Sequence, residues 1–148
     1  MDEIDIEATE NYLRNSNTAT TDITSLSVKE VQGFTSPSAD SPLNAFKLVE
    51  DTSTGRHKMS QSVSLGATTV YTQSVYTKKG ENNFIAIRED NVLGYWATFN
   101  LNTGVVIDNL LTDNVTITAV ANGWYKCTVT FTSTTATTYK PNIWLLDN

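Results

Sequence analysis

The sequence is short of the residues from which most catalytic and metal sites are made. It holds one cysteine, Cys127, and one histidine, His57. A single cysteine excludes an intrachain disulfide framework and a thiolate metal cluster. A single histidine leaves any zinc dependent on carboxylates. Positive charge is also scarce: ten Lys and Arg stand against sixteen Asp and Glu, a net charge of −6. An acidic surface repels phosphate backbones, so nucleic acid is not an expected partner. No apolar run approaches the length of a transmembrane helix, so membrane insertion is not expected either. The opening MDEIDIEATE is acidic where a signal peptide begins with positive charge and continues apolar, so no secretion signal is expected. The sequence has no P-loop, no dinucleotide fingerprint and no serine or cysteine nucleophile motif.

What fills the space is threonine, at 24 residues. A β-branched hydroxyl residue used this heavily suits half-buried strands and fits helices poorly. Ten segments alternate with period two: TSLSVKEV, AFKLVED, KMSQSVSL, TTVYTQSVYTK, FIAIRE, YWATFNL, VVIDNLL, NVTITAV, WYKCTVTFT and NIWLLD. In the ninth, Tyr125, Cys127, Val129 and Phe131 share one side, which makes Cys127 a small buried hydrophobe. Between the segments lie turn signals: Gly55 in TSTGRH, Gly80 in KKGENN, Asn102-Thr103-Gly104 and Asn122-Gly123. GFTSPSADSPLN, with Gly33, Pro37 and Pro42, reads as a loop, and only SADSPLNAF could form a single helical turn. Many short strands with turns every 8–12 residues predict an all-β, two-sheet antiparallel β-sandwich of jelly-roll type. An immunoglobulin-type sandwich is the alternative, but its cysteine pair around a tryptophan is missing. Residues 1–17 are expected to be an acidic N-terminal arm or edge strand, with Ile4 and Ile6 alternating with charges. Residues 18–148 are expected to form a single sandwich domain.

Four segments in order, AFKLVEDTSTGRHKMSQSVSL, SVYTKKGENNF, FNLNTGVV and ANGWYKCTVTFT, carry a resemblance over residues 43–134. They resemble the carbohydrate-binding-module-like jelly rolls of bacteriophage virion proteins and of some polysaccharide-processing enzymes. The resemblance implies a non-catalytic virion component, in a tail, a fibre or a capsid decoration. It also implies other virion proteins as partners, cell-surface glycans as ligands, and release by lysis to a place on the virion surface.

Several side chains are candidates for that role. Trp124 follows the Asn122-Gly123 turn, and its segment is shared among family members of different specificity. A plug at one corner of the sandwich is therefore the expected role, with a ligand platform as the alternative. Trp96 stands in LGYWATFNL: Phe99 and Leu101 face the core by alternation, which puts Tyr95 and Ala97 on the core side and Trp96 outward. An outward indole is what a pyranose ring stacks on; an oligomer contact or a covering loop is the alternative. Arg88 shares a face with Phe84 and Ala86, where a guanidinium beside Trp96 would bind hydroxyls or a sugar carboxylate. The alternative is a solvated charge at a strand end. Tyr76 lies opposite Val75 in the alternation. Trp96, Tyr95, Arg88 and Tyr76 form the expected ligand cleft, and a homo-oligomer is compatible with it. Arg56 and His57 are placed on a polar turn, where solvated side chains are expected.

Glu50-Asp51, Glu89-Asp90 and Asp108 are the carboxylates available for hydrolysis. A glycosidase needs two facing carboxyls about 5–10 Å apart, whereas neighbours on a strand point to opposite faces, so neither neighbouring pair serves by itself; a pair drawn from different strands, and with it a carbohydrate-active enzyme, stays open as the alternative. No catalytic residue and no cofactor are expected. A structural calcium would draw on Glu10, Asn11, Asp51 and Asp147, without any EF-hand spacing to support it.

Overall fold

The computed structural model describes residues 4–5, 25–26, 28–34, 45–50, 57–60, 62–80, 82–120 and 123–146, with side chains from residue 57 onward. The four calcium donors, the remainder of the acidic arm, the Pro37–Pro42 loop and the Gly55 turn lie outside the described residues.

The described chain is all β. Its strands are β1 (Ile4–Asp5), β2 (Ser25–Leu26), β3 (Val28–Phe34), β4 (Ala45–Glu50), β5 (His57–Ser60), β6 (Val63–Leu65) and β7 (Val70–Thr77). They continue with β8 (Phe84–Glu89), β9 (Trp96–Asn100), β10 (Val105–Leu110), β11 (Asn114–Ala119), β12 (Tyr125–Thr132), β13 (Thr137–Tyr139) and β14 (Pro141–Leu146). One sheet has the order β1-β7-β12-β11 and the other β10-β9-β8-β14-β5-β2; β13-β6 and β3-β4 pair separately. All pairings are antiparallel.

One long ribbon organises the sandwich. Its register is unbroken from His57↔Leu145 through Val63↔Tyr139 to Thr77↔Tyr125. Each residue gained on β5-β6-β7 is therefore matched by one lost on β12-β13-β14. The ribbon starts in the six-stranded sheet and ends in the four-stranded one, which is the wrapping of a jelly roll. It crosses between the sheets at Gly66–Thr69, where buried Ser133 ties the corner. The Ser133 hydroxyl donates to the Gly66 carbonyl at 2.6 Å and accepts the Thr69 N–H at 3.0 Å. The β8-β9-β10 meander extends the six-stranded sheet beyond this ribbon.

The inward faces follow the alternation. Tyr71, Val75, Cys127, Val129 and Phe131 of the four-stranded sheet meet Met59, Ile85, Ile87, Ala97, Phe99 and Ile143 of the other in one core. Gln73 is also inward and buried; its Oε1 accepts the Tyr95 hydroxyl at 2.6 Å, so its polarity is satisfied inside the core. The Asn102-Thr103-Gly104 hairpin forms as expected, with Gly104 at φ 72°. A Cβ there would stand 2.7 Å from the Tyr125 ring, so glycine is required twice over.

Three details differ from the sequence reading. KMSQSVSL is two strands, because its second half changes sheet with the ribbon. The strand of Val28 runs on through Gly33 and Phe34, which had read as loop, and its register shifts between Gln32 and Phe34 as at a bulge. Thr137–Tyr139 pairs with β6 although its threonines carry no apolar alternation.

Candidate functional site

The outward face of the six-stranded sheet is built by three cross-strand rows. Leu110, Trp96, Arg88, Asn142 and Ser60 form one. Asp108, Thr98, Ala86, Trp144 and Lys58 form the second, and Val105, Asn100, Phe84 and Leu146 the third. Trp96 thus faces outward as the alternation predicts, and it is half-buried. Arg88 is its direct cross-strand neighbour.

Arg88 is held by two partners. Its guanidinium carbon lies 3.9 Å from the centre of the Trp144 ring, a diagonal neighbour one strand away. Its Nε donates to Asp90 Oδ1 at 3.2 Å. Asp90 Oδ2 in turn accepts from Asn142 Nδ2 at 3.1 Å and pairs with Lys58 at 3.5 Å. The planar cation is therefore fixed flat on an indole, with Nη donors left for a ligand. Asn142 is buried, and its Oδ1 has no hydrogen-bond partner. Trp144 did not enter the sequence reading. Its phase against Ile143 and Leu145 was the available signal, since those two face inward and leave it outward.

Glu89 supports this face from beneath. It is fully buried at the end of β8. Its carboxylate accepts the N–H groups of Leu93 at 2.7 Å and of Asn91, Val92 and Lys140 at 2.9 Å. Burial pushes its pKa up, but these backbone donors outweigh that and leave the carboxyl below its usual range. One side chain thus fixes the 90–94 turn that leads into Trp96 and carries Asp90. The same bonds occupy the oxygens that acid–base chemistry would need.

Two members of the expected cleft lie elsewhere. Tyr95 is fully buried, stacked on Phe131 at 4.6 Å between ring centres, with its hydroxyl on Gln73. Burial, then the charges of Glu89 and Asp90, push its pKa well above the usual phenol range. Tyr76 belongs to β7 and so to the four-stranded sheet, with Lys126 Nζ 5.4 Å from its ring centre. Period two gave Tyr76 its outward direction but not its sheet, so it does not join Trp96 and Arg88.

No protein-family model and no curated protein matches the chain.

Trp124 sits between Gly123, at φ 77°, and β12; it is half-buried, and its indole nitrogen is shielded from solvent. His57 is the first residue of β5 rather than a turn residue, and it pairs with Leu145. Among the described residues no three His, Cys, Asp or Glu side chains converge, and no helix is long and apolar enough to cross a membrane.

Proposed function

We propose that this chain is a non-catalytic carbohydrate-binding sandwich that recognises glycans through the outward face of its six-stranded sheet. The observation that carries the reading is Trp96, outward-facing and half-buried, side by side with an Arg88 already clamped on Trp144 and Asp90. An indole offers an apolar surface to the C–H face of a pyranose. The guanidinium beside it supplies donors to ring hydroxyls without having to be ordered on binding. Thr98 and Asn100, on the same strand face, add hydroxyl and amide groups. The resemblance of four segments to phage jelly rolls supports a place on the surface of a virion, next to other virion proteins. There, many copies would raise a weak single-site affinity through effective concentration.

A glycan array probed with the intact chain, followed by titration of any hit against Trp96→Ala, tests this. Binding lost in a variant that keeps its β-type circular dichroism is the expected result. The absence of any hit, with monomer or with multivalent display, counts against it. A second reading, a subunit-contact domain that binds no sugar, draws on a different observation: the apolar edge strand β10.

A further inference from the structure

We infer, resting on that carbohydrate reading, that the sugar recognised on this face is an acidic one: a pyranose stacked on Trp96 whose carboxylate is bound by the Arg88 guanidinium.

A guanidinium has a flat face and two edges that each offer a pair of N–H donors. At Arg88 the face lies on the Trp144 ring, 3.9 Å from its centre, and the Nε–H of one edge donates to Asp90 Oδ1 at 3.2 Å. The edge formed by the two Nη groups remains, on a side chain that is 27% exposed. Two parallel N–H groups in one plane match the two oxygens of a carboxylate, whereas a hydroxyl engages one of them. Trp144 and Asp90 already set that plane, so little rotamer freedom is left to lose on binding.

Charge points the same way. Asp90 Oδ1 faces Arg88, and its Oδ2 faces Lys58 at 3.5 Å and Asn142 Nδ2 at 3.1 Å. Two cations thus share one carboxylate, and the patch stays positive on a chain of net charge −6. On the other side of Trp96, Asp108 stands on β10 in the row of Thr98. The platform therefore has a cationic flank toward β14 and an anionic flank toward β10, and a carboxylated ring has one favourable orientation between them. Arg88 lies on β8, between Trp96 on β9 and Trp144 on β14. Stacked on Trp144, its guanidinium is set to the side of the platform, by about one strand spacing of 4.8 Å. A ring centred on the indole meets that charge at its rim, where a pyranose carries its carboxyl.

Calorimetric titration of the full chain with an oligohexuronate, and with the same oligosaccharide after its carboxyls are reduced to alcohols, tests this. Sialyllactose against lactose is the second pair and tells a sialate from a uronate. In at least one pair the acid should bind, and its neutral counterpart severalfold more weakly. Arg88→Gln should erase that preference, and Trp96→Ala should abolish binding of both members. Arg88→Lys, which keeps the charge but not the planar edge, should restore little of it. Neutral members that bind as well as the acids, or better, overturn the acidic class and leave the carbohydrate reading standing. Polyglutamate bound as tightly as the acidic sugar also overturns it, since charge without a ring would then suffice. If no glycan of either kind binds, the carbohydrate reading falls and the acidic class with it. Circular dichroism monitors folding; should Arg88→Gln unfold, the wild-type preference within each pair decides.

Discussion

The two sheets turn chemically different faces outward from the same core. The four-stranded sheet shows Thr72, Thr116, Thr118, Thr128 and Thr130, with Tyr76 and Lys126 at one end. Thr72 and Thr130 share a hydrogen bond of 3.3 Å across the strands. The six-stranded sheet shows Trp96, Arg88, Trp144, Asp90 and Lys58 in mutual contact or register. Threonine supports a strand through its branched Cβ and satisfies its hydroxyl with a neighbour or water. Such a face stabilises without selecting a ligand. Aromatic and guanidinium groups left partly open on the other face offer stacking and directed donors. On the proposed reading, recognition belongs to the six-stranded sheet and support to the other.

The largest expected effect removes what holds the proposed recognition face in place. Glu89→Gln should destabilise the fold by about 3 kcal/mol, because an amide cannot satisfy that set of backbone donors. Chemical denaturation measures it. The pH dependence has a definite sign: the Glu89 pKa is depressed in the folded chain. Its stabilisation is therefore complete above the unfolded carboxyl pKa of about 4.3 and disappears as pH falls through the lower folded value. Thermal melts of the wild type should decline across that acid window, and those of Glu89→Gln should decline less steeply.

Next comes Tyr95→Phe, which leaves Gln73 without its donor inside the core. A loss of about 1–2 kcal/mol with unchanged sugar affinity is expected. Reduced affinity at unchanged stability would return Tyr95 to the site. Trp96→Ala should cost about 1 kcal/mol of stability or less, yet abolish detectable glycan retention. Arg88→Gln should weaken binding severalfold by removing the stacked donor. The smallest effect belongs to the threonine face: Tyr76→Ala and Thr128→Val should leave glycan affinity within error by calorimetry. A loss there as large as that of Trp96→Ala would reverse the assignment of the two sheets.

Much of this was legible in particular residues. Phe99 and Leu101 fixed the phase of β9 and with it the outward Trp96, because side chains on a strand alternate strictly. Cys127, between Tyr125 and Val129, showed its burial in the same way. Tyr95 also had the right phase, and only its place in the cleft was mistaken. Trp144 had a readable phase, but nothing nearby in the chain marked it as the surface on which Arg88 rests; the two are 56 positions apart. Glu89 looked like one of several spare carboxylates, since nothing local shows that Lys140, beyond β13, supplies a donor.

The sequence by itself determined the class of structure, most of the strand segments and, in strands such as β9 and β12, the side that faces the core. All of these follow from local chemistry: β-branched content, period two and turn residues. Tertiary structure alone decided which sheet each outward face belongs to. It separated Tyr76 from Trp96, brought Arg88 onto Trp144, wrapped the 90–94 turn around Glu89 and left β10 at an edge. Period two is a property of one strand, whereas a site depends on which strands pair. Pairing is fixed by the crossing of a ribbon whose partners lie up to 88 positions apart, from His57 to Leu145.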